Sequence, residues 1–358
     1  MDNQQPLQNM SKKQMWQILA LIVVLGTVWS FWSQRRAVGD VKVDRTYPVM
    51  GTIAQVTFYG ARDKCEKAAD AVREAFDEVS TACNIYDGKS ELSRLNQTAY
   101  DKPFKCGNLL WSLLQEGRRA YSVSDGAFDI TARPLMLLWG FYRKRGETLP
   151  SDAETAAALE KVGLDKVIFK AEDQSVKFTV RGMSFDLGGM AKGTAVDRAY
   201  DVVLKLGIKR GVINLGGNMR CLPEPPPRRK SYIIGVRNPF KKDDICGRVE
   251  VLGKALATSG NYERYVTIKG KQYTHIMNVR TGKPVTNMYS VTVIAPTALD
   301  TDIFSTAVFI KGTDFARRTA KELPDISFLV IQPGPGGKPL VTKINGIKNP
   351  VEWGDVKP

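Results

Sequence analysis

Between residues 211 and 296, short segments rich in Val, Ile and Tyr follow one another, each bounded by turn-forming residues. Such segments are typical of β-strands. They are GVINLG (211–216), SYIIGVR (231–237), RVEVLG (248–253), RYVTI (264–268) and SVTVIAP (290–296). Because these strands cluster instead of alternating strictly with helices, the sequence predicts an α+β fold with mainly antiparallel sheets and packed helices.

Helical periodicity predicts further elements around this cluster. Ser151 and Glu154 have the spacing of a capping box that opens a helix. The segment TYPVMGTIAQVTFYG reads as one strand interrupted at Met50-Gly51 by a close backbone approach. The predicted helices span about residues 61–82, 108–122, 151–162, 190–206 and 299–310, and the other predicted strands are KVIFKA, SVKFTV and a final SFLVIQ.

The N-terminal region contains an uncharged stretch from Gln14 to Gln34, with lysines before it, arginines after it and tryptophans near its ends. This pattern predicts a transmembrane anchor over residues 14–34. It is preceded by a short tail over residues 1–13, followed by a linker over 35–44, and then by a domain over 45–358. A cleaved signal peptide and a buried core helix are the alternatives, although bulky Trp29 and Trp32 disfavour a cleavage site.

The formal net charge is +15, with 52 Lys and Arg against 37 Asp and Glu. Such a balance favours anionic partners. Nucleic acid is not expected, because the basic residues are scattered and no nucleic-acid motif is present. The five cysteines have no CxxC spacing, so a zinc site is not expected either, but Cys221 and Cys246 flank a predicted strand and are candidates for one disulfide.

The densest chemical signal is FDLGGMAKGTAVD, residues 185–197. It places Asp186 at a strand end, then Gly188 and Gly189, then Lys192 in the first turn of a helix. Backbone amides at a helix start bind phosphate oxygens well, and a lysine adds a positive charge. An ordinary glycine-rich turn between a strand and a helix is the alternative.

The segment DTDIFSTAVFI, residues 300–310, puts Asp302 and Thr306 one helical turn apart. Their oxygens lie on one face, which suits a hard cation such as Mg²⁺ that also binds a carbonyl and substrate phosphates. Asp302 can instead serve the helix dipole, and Thr306 can bond to the preceding turn. Asp300, two residues earlier, is a further possible ligand.

Two other segments combine turn residues with aromatic side chains. Ala127, Phe128 and Asp129 follow a glycine in DGAFDIT, where backbone and an acid can face a planar heterocycle; the LLWGF that follows is expected to be core. Tyr86 offers a stacking surface at the start of YDGKSELSRLN, although a capped turn explains that segment equally well.

His275 is the single histidine of the chain and stands five residues before Arg280, in HIMNVRTG. A lone histidine is often structural, so its role depends on the segments around it. As a general base it would suit proton removal near neutral pH. Arg280 is a candidate for holding a transferred phosphate or for capping the Arg-Thr-Gly turn.

Together these segments resemble the ApbE family of FAD-dependent flavin transferases. The family's motifs occur in order over about residues 45–332: VMGT, YDGKSELSRLN, GAFDIT with LLWGF, DLGGMAKGTAVD, NLGGN, ATSGNY, HIMNVRTG and DTDIFSTAVFIKG. The resemblance implies a duplicated, T-fold-like architecture. It also implies Mg²⁺-dependent transfer of FMN from FAD to a Thr or Ser hydroxyl of an acceptor protein, with release of AMP.

The resemblance also assigns roles to individual residues. His275 matches the family's proposed general base, and the metal would be held by Asp302, Thr306 and the main-chain carbonyl of Gly189. The residues expected to line the FAD site are Met50, Tyr86, Ala127, Phe128, Asp129, Asp186, Lys192 and Ile276. Where many relatives have Asp-Pro before Arg-Thr-Gly, this chain has Asn278-Val279, so a looser turn is expected.

The resemblance implies acceptors as well: subunits of Nqr-type (Na⁺-pumping) and Rnf-type redox complexes, with an Asp-x-x-Ser/Thr-Gly-Ala-Ser/Thr motif. With the predicted anchor, it favours an enzyme on the inner (cytoplasmic) membrane whose catalytic domain is periplasmic. Two other functions remain open: hydrolysis of FAD to FMN and AMP, and an anchored flavoprotein that binds FAD without bond-making chemistry.

Overall fold

The computed structural model describes residues 41–241 and 243–347. Within these ranges, no helix combines the length and the apolar character that a membrane crossing requires. The predicted tail, the predicted anchor over residues 14–34 and residues 35–40 of the predicted linker lie outside the described residues.

The predicted helices are present, and the capping box between Ser151 and Glu154 is formed. The helix that it opens ends at Leu159, three residues before the expected end. In the described residues the α-helices are α1 (Arg62–Cys83), α2 (Glu91–Thr98), α3 (Asn108–Val123), α4 (Arg133–Leu138), α5 (Asp152–Leu159), α6 (Ala191–Lys205), α7 (Ala298–Lys311) and α8 (Thr313–Glu322).

The strands outnumber those predicted, because several are only two to four residues long. They are β1 (Val41–Val49), β2 (Thr52–Gly60), β3 (Phe104–Lys105), β4 (Val167–Lys170), β5 (Ser175–Phe178), β6 (Gly211–Leu215), β7 (Asn218–Cys221), β8 (Tyr232–Arg237), β9 (Ile245–Val251), β10 (Ala255–Gly260), β11 (Tyr265–Ile268), β12 (Lys271–Thr274), β13 (Met277–Asn278), β14 (Lys283–Pro284), β15 (Ser290–Ala295), β16 (Ser327–Pro333) and β17 (Pro339–Ile344).

One eight-stranded sheet organises the fold, with the order β1-β2-β6-β7-β10-β15-β16-β17. Every neighbouring pair in it is antiparallel. Each half of the sheet is a pair of strands, then helices, then a second pair of strands, so the two halves repeat one topology. The predicted α+β class with mainly antiparallel sheets is therefore confirmed.

The two faces of this sheet bury different partners. On one face, the buried side of α1 packs with α6 and the strands of the first half, while α7 and α8 pack on the second half. On the other face, the β8-β9 hairpin covers residues such as Leu256, Ile294 and Leu329. A separate apolar cluster is formed by residues of α4, α5 and the segment after α4, including Leu135, Trp139 and Phe141. The expectation that LLWGF belongs to a core is therefore confirmed for Trp139 and Phe141, whereas Leu137 is 39% exposed.

The prediction of one interrupted strand around Met50-Gly51 is wrong. β1 and β2 are two antiparallel strands, with Val49 paired to Thr52 across a two-residue turn. Met50 and Gly51 both have positive φ angles, 51° and 70°, the conformation that tight hairpins require. β1 also begins at Val41, inside the region predicted to be a linker.

The C-terminal region holds two elements that the sequence reading missed. α8 follows α7 after a single glycine, Gly312, whose φ of 84° separates the two helices. Beyond the glycine-rich turn, β17 pairs with β16 and forms an edge of the large sheet. Neither was expected, because α8 is short and charged and β17 lies next to prolines and glycines.

Cys221 and Cys246 are buried free thiols on the face covered by the β8-β9 hairpin. The disulfide considered for this pair is absent. Burial raises the pKa of the Cys221 thiol to about 12 and that of Cys246 to about 11, so both are protonated, apolar-like side chains that pack in the core.

The start of α6 crosses the start of α7 at very close range. A Cβ atom added to Gly193 would lie 2.5 Å from the carbonyl oxygen of Ala298. Asp197, one turn further along α6, accepts hydrogen bonds from the amides of Ala298 and Leu299 at 2.8 and 2.9 Å. The two helix starts are thus fixed to each other, which sets the position of the side chains that follow on α7.

Gly193→Ala is expected to destabilise the protein by about 1–3 kcal/mol, because the new methyl group meets backbone that cannot rotate away. Except at the lower end of its range, this cost exceeds the roughly 1 kcal/mol that alanine gains over glycine inside a helix. Thermal or urea unfolding measures the change. Gly88→Ala is the matched control, because no atom lies within 4 Å of the added Cβ there. Equal stability of the two variants would contradict the close crossing.

Candidate functional site

His275 lies between β12 and β13. Its main-chain amide donates a hydrogen bond to the carbonyl oxygen of Arg264 at 3.0 Å, and its Nδ1 lies 3.0 Å from the same oxygen. A carbonyl oxygen only accepts, so Nδ1 carries the proton in this arrangement. The remaining nitrogen, Nε2, is then left with a lone pair and can accept a proton.

The surroundings of His275 favour its neutral form. The pKa of the imidazole is lowered from 6.5 to about 4, mainly by burial and also by the positive charges of Lys192 and Arg264, while the hydrogen bond to Arg264 and the charge of Asp186 oppose the shift. The imidazole is therefore unprotonated at neutral pH. That is the state in which a histidine acts as a general base.

Asp302, on α7, is a buried carboxylate placed at the start of α6. Its Oδ2 accepts a hydrogen bond from the amide of Gly193 at 2.8 Å, and its Oδ1 accepts one from the side chain of Asn218. Burial raises the pKa of this carboxyl, while the positive charge of Lys192 opposes the shift. Asp302 thus serves the dipole of a neighbouring helix, not that of its own helix.

Lys192 acts electrostatically on both His275 and Asp302. Residues that are far apart in the sequence, on α6, on α7 and between β12 and β13, are therefore close enough to interact electrostatically with one ammonium group. The motifs predicted that these three residues act as the base, the phosphate-binding lysine and the metal-binding acid, and those roles stay predictions.

The alternative metal ligand, Asp300, is occupied by other partners. Its Oδ1 accepts from Arg119 at 2.8 Å and its Oδ2 accepts from the Thr297 hydroxyl at 2.6 Å, which caps α7. Thr306 follows Asp302 by one turn of the same helix and is half-buried. The pair of Asp302 and Thr306 is therefore the better candidate.

The oxygen atoms of Asp302, Thr306 and Gly189 suit a hard cation that takes few of its ligands from the protein. In the described part of the chain no group of three or more His, Cys, Asp or Glu side chains has the arrangement of a metal site. Mg²⁺ does not need one, since it commonly takes one or two protein oxygens and completes its shell with water and phosphate oxygens. The carboxylate of Asp302, the hydroxyl of Thr306 and the carbonyl of Gly189 match this coordination preference. The metal role of these three residues stays a prediction.

The glycine-rich segment before α6 differs in detail from the expectation. Asp186 lies in an irregular segment and not at a strand end, because β5 already ends at Phe178. Its Oδ1 accepts a hydrogen bond from the Gly188 amide at 2.8 Å. The amides of Gly188 and Gly193 are thus satisfied within the protein, and the exposed Gly189 and the side chain of Lys192 remain to face a ligand.

An aromatic cluster borders this segment. The Tyr142 hydroxyl donates to Asp186, and the rings of Tyr86 and Tyr142 lie 5.8 Å apart. The guanidinium of Arg264 donates to the Tyr86 hydroxyl at 3.0 Å. Tyr86 is 69% exposed, so its ring is accessible to a planar ligand, and the predicted stacking on a flavin stays a prediction.

Four other predicted flavin-site residues lie in ordinary structural positions. Ala127 and Phe128 are buried, and a Cβ on Gly189 would lie 3.3 Å from the Phe128 ring, so this loop contacts the glycine pair. Met50 sits at the β1-β2 hairpin turn, and Ile276 is buried in the second-half core beside His275. Their contact with FAD stays a prediction.

Asp129 and Arg280 have partners within the protein. Asp129 Oδ1 accepts from the amide and hydroxyl of Thr131 at 2.8 and 2.7 Å, which closes a turn, and burial raises the pKa of its carboxyl. Arg280 donates to the carbonyl of Asp125 at 2.9 Å. This matches a structural duty for Arg280, while its phosphate-binding role stays a prediction.

The turn after His275 is well ordered despite its unusual sequence. Asn278 Oδ1 accepts from the amides of Arg280 and Thr281, and the Asn278 carbonyl accepts from Gly282 at 2.8 Å. The expected looser turn is therefore not observed, because the asparagine side chain bonds the backbone two residues on, as an aspartate would.

Comparison with known proteins decides the family. The ApbE family model matches residues 50–330, most of the chain. This chain belongs to the ApbE family. A protein of Klebsiella pneumoniae named FAD:protein FMN transferase is 31% identical over 270 residues, which are 74% of this chain and 82% of that protein. One of the same name from Salmonella typhimurium is 28% identical over 81% of this chain and 84% of its own length.

The solved structures agree with this family assignment. The ApbE protein of Thermotoga maritima superposes with a TM-score of 0.76 at 28% sequence identity, over 84% of this chain and 97% of that one. ApbE of Pseudomonas stutzeri, a flavinyl transferase solved in its apo form, gives a TM-score of 0.75 at 25% identity, over 85% of this chain and 95% of that one. The expected ApbE-like fold is confirmed.

Within this ApbE fold, three residues at the site were not predicted from the sequence. Asn218 binds Asp302 and stands inside the motif NLGGN, which was a usable signal. Tyr142 and Arg264 reach the site only through tertiary contacts. Nothing in their local sequence distinguishes them from surface residues.

Proposed function

We infer that this chain is a FAD:protein FMN transferase, an enzyme that moves FMN from FAD to an acceptor protein. The observation that carries this inference is that Lys192, in the first turn of α6, acts electrostatically on both a neutral imidazole and a buried carboxylate. Relatives over most of the chain bear this enzyme name.

The residues suit phosphoryl transfer to a hydroxyl. An acceptor Ser or Thr oxygen attacks the FMN phosphorus, the bond from that phosphorus to the bridging oxygen breaks, and AMP leaves with that oxygen. His275 Nε2 takes the hydroxyl proton as the new bond forms, because a free hydroxyl is a weak nucleophile at neutral pH. Lys192 offsets the negative charge that grows on the phosphate oxygens.

We propose that Asp302, Thr306 and the carbonyl of Gly189 hold a Mg²⁺ ion. When bound, such an ion neutralises phosphate charge and orients the leaving group. Support comes from the buried position of Asp302 and from the engagement of Asp300 by Arg119 and Thr297.

The site of action and the acceptors are also proposals. An anchor over residues 14–34 would tether the enzyme to the inner membrane, with the catalytic domain in the periplasm. The acceptors would carry the Asp-x-x-Ser/Thr-Gly-Ala-Ser/Thr motif, as Nqr-type and Rnf-type subunits do. The uncharged sequence of the segment and the family membership support these two proposals.

Incubation of the full-length protein with FAD, Mg²⁺ and an acceptor carrying the motif tests the function. A flavin that stays on the acceptor after denaturation is the expected result, with release of one AMP per flavin attached. The matched control is the same acceptor with its target Thr or Ser replaced by Ala, which should remain unlabelled.

The two other candidate functions give different products in that assay. Free FMN and AMP with an unlabelled acceptor would indicate hydrolysis of FAD by water. Unchanged FAD that co-purifies with the protein would indicate a binding protein. Either result would overturn the transferase assignment for this acceptor.

A further inference from the structure

Arg264 connects the proposed base with the aromatic side of the site. Its carbonyl oxygen accepts both hydrogen bonds of His275, from the amide and from Nδ1, each at 3.0 Å. Its guanidinium donates to the carbonyl of Phe141 at 2.5 Å and to the hydroxyl of Tyr86 at 3.0 Å. Main chain and side chain of one residue therefore hold two different parts of the site.

The guanidinium is also fixed by stacking. It lies 5.9 Å from the centre of the Phe141 ring and 5.2 Å from that of Tyr142. A planar guanidinium with two hydrogen bonds and two ring contacts has little freedom to rotate. Because Tyr142 in turn donates to Asp186, the anchoring extends to the segment before α6.

We propose that Arg264 is a positioning residue, which fixes the proton of His275 on Nδ1 and directs the lone pair of Nε2 to the acceptor hydroxyl. Arg264 does not touch the reacting atoms. It acts through the orientation and the tautomer of the imidazole. The rate effect rests on the proposed function, whereas the tautomer does not.

The physical reason lies in the two forms of neutral imidazole. Only the form protonated on Nδ1 can donate to the Arg264 carbonyl, and only that form leaves Nε2 able to accept a proton. If the carbonyl moved away, the ring would lose the partner that selects this form. The hydrogen bond that a functional histidine donates from its other ring nitrogen commonly has this orienting role.

The single histidine of the chain makes the tautomer directly measurable. Full-length protein labelled with ¹⁵N-histidine gives NMR signals from one imidazole only, without FAD or acceptor. We expect a protonated Nδ1 and an unprotonated Nε2 at about neutral pH. A wild-type protein with the proton on Nε2 would overturn the proposal at once.

Arg264→Ala should weaken the preference of His275 for the tautomer protonated on Nδ1. We expect a mixture of both tautomers and a fall in kcat of about 10- to 100-fold, as when the orienting partner of a ligand histidine is removed. The KM for FAD should change less than kcat. Arg264→Lys keeps a positive charge and a donor but loses the planar group that lies over the Phe141 and Tyr142 rings, so an intermediate tautomer ratio is expected even if the alanine variant fails to fold.

The pKa of His275 depends on three charged neighbours as well as on burial. These are Lys192 from α6, Asp186 from the segment before it and Arg264 itself. Removal of the Arg264 charge alone would raise the pKa of the imidazole, so the acidic limb of the pH profile should move upwards in Arg264→Ala and much less in Arg264→Lys.

Arg237→Ala is the matched control. Arg237 also lies over a tyrosine ring, that of Tyr262 at 5.8 Å, and pairs with Glu263 at 3.4 Å, next to Arg264 in the chain. It has no contact with His275 among those described, so its tautomer ratio and kcat should match the wild type. An unchanged tautomer ratio in both Arg264 variants would refute the proposal, whatever the transfer assay shows.

Discussion

His275→Ala is expected to lower the rate of FMN transfer by about 10²- to 10⁴-fold, the usual contribution of a general base. The imidazole is held neutral by burial, which lowers its pKa to about 4, so the wild-type base is ready at any pH well above that value. FAD should still bind, because the aromatic and glycine-rich segments are untouched. The transfer rate is measured by covalent flavin on the acceptor, and FAD binding by its fluorescence.

Added imidazole provides the control for this first prediction. Alanine leaves a space of the size of the lost ring, and a free imidazole that enters it should restore part of the transfer rate. Restoration would distinguish a lost base from a disturbed fold. A variant that transfers FMN at the wild-type rate would show that His275 is not the base.

Asp302→Ala is expected to raise the Mg²⁺ concentration required for half-maximal activity by at least about 10- to 100-fold, since a carboxylate ligand contributes more than the orienting partners that cost this much when removed. A loss of stability of about 1–3 kcal/mol should accompany it, because the Gly193 amide and the Asn218 side chain each lose their acceptor. A Mg²⁺ titration of the transfer rate and an unfolding curve measure the two effects.

Asp300→Asn is the matched control for this second prediction. Asp300 stands two residues before Asp302, but its oxygens bind Arg119 and Thr297. Its replacement should cost some stability at the start of α7 and leave the Mg²⁺ titration unchanged. If Asp302→Ala gave a wild-type titration while Asp300→Asn shifted it, the metal ligand would be Asp300.

Both predictions depend on one electrostatic arrangement. Burial disfavours the charged form of any group, so it lowers the pKa of His275 and raises that of Asp302. Lys192 pushes both pKa values downwards, which favours a neutral base beside an ionised carboxylate. The same positive charge thus favours the deprotonated form of both groups, which leaves the imidazole neutral and the carboxylate anionic.

The fold class was predictable because it depends on local pattern. The β-type segments between residues 211 and 296, and the helical periodicity of 62–83 and 108–123, are properties of neighbouring residues. Errors arose where an element was short or irregular. The hairpin at Met50-Gly51 places a non-glycine residue at positive φ, which the local sequence pattern does not predict. β17 is a strand because it pairs with β16, a contact that is not encoded in its own residues.

The sequence by itself determined the α+β class, the motif order of the ApbE family and the identity of the single histidine, since each is written in neighbouring residues. Only the tertiary structure decided which donors and acceptors those residues meet: Gly193 and Asn218 for Asp302, and Arg264 for His275. Long-range hydrogen bonds and burial set pKa values and tautomers, and both depend on residues more than ten positions away in the chain, so no local pattern can specify them.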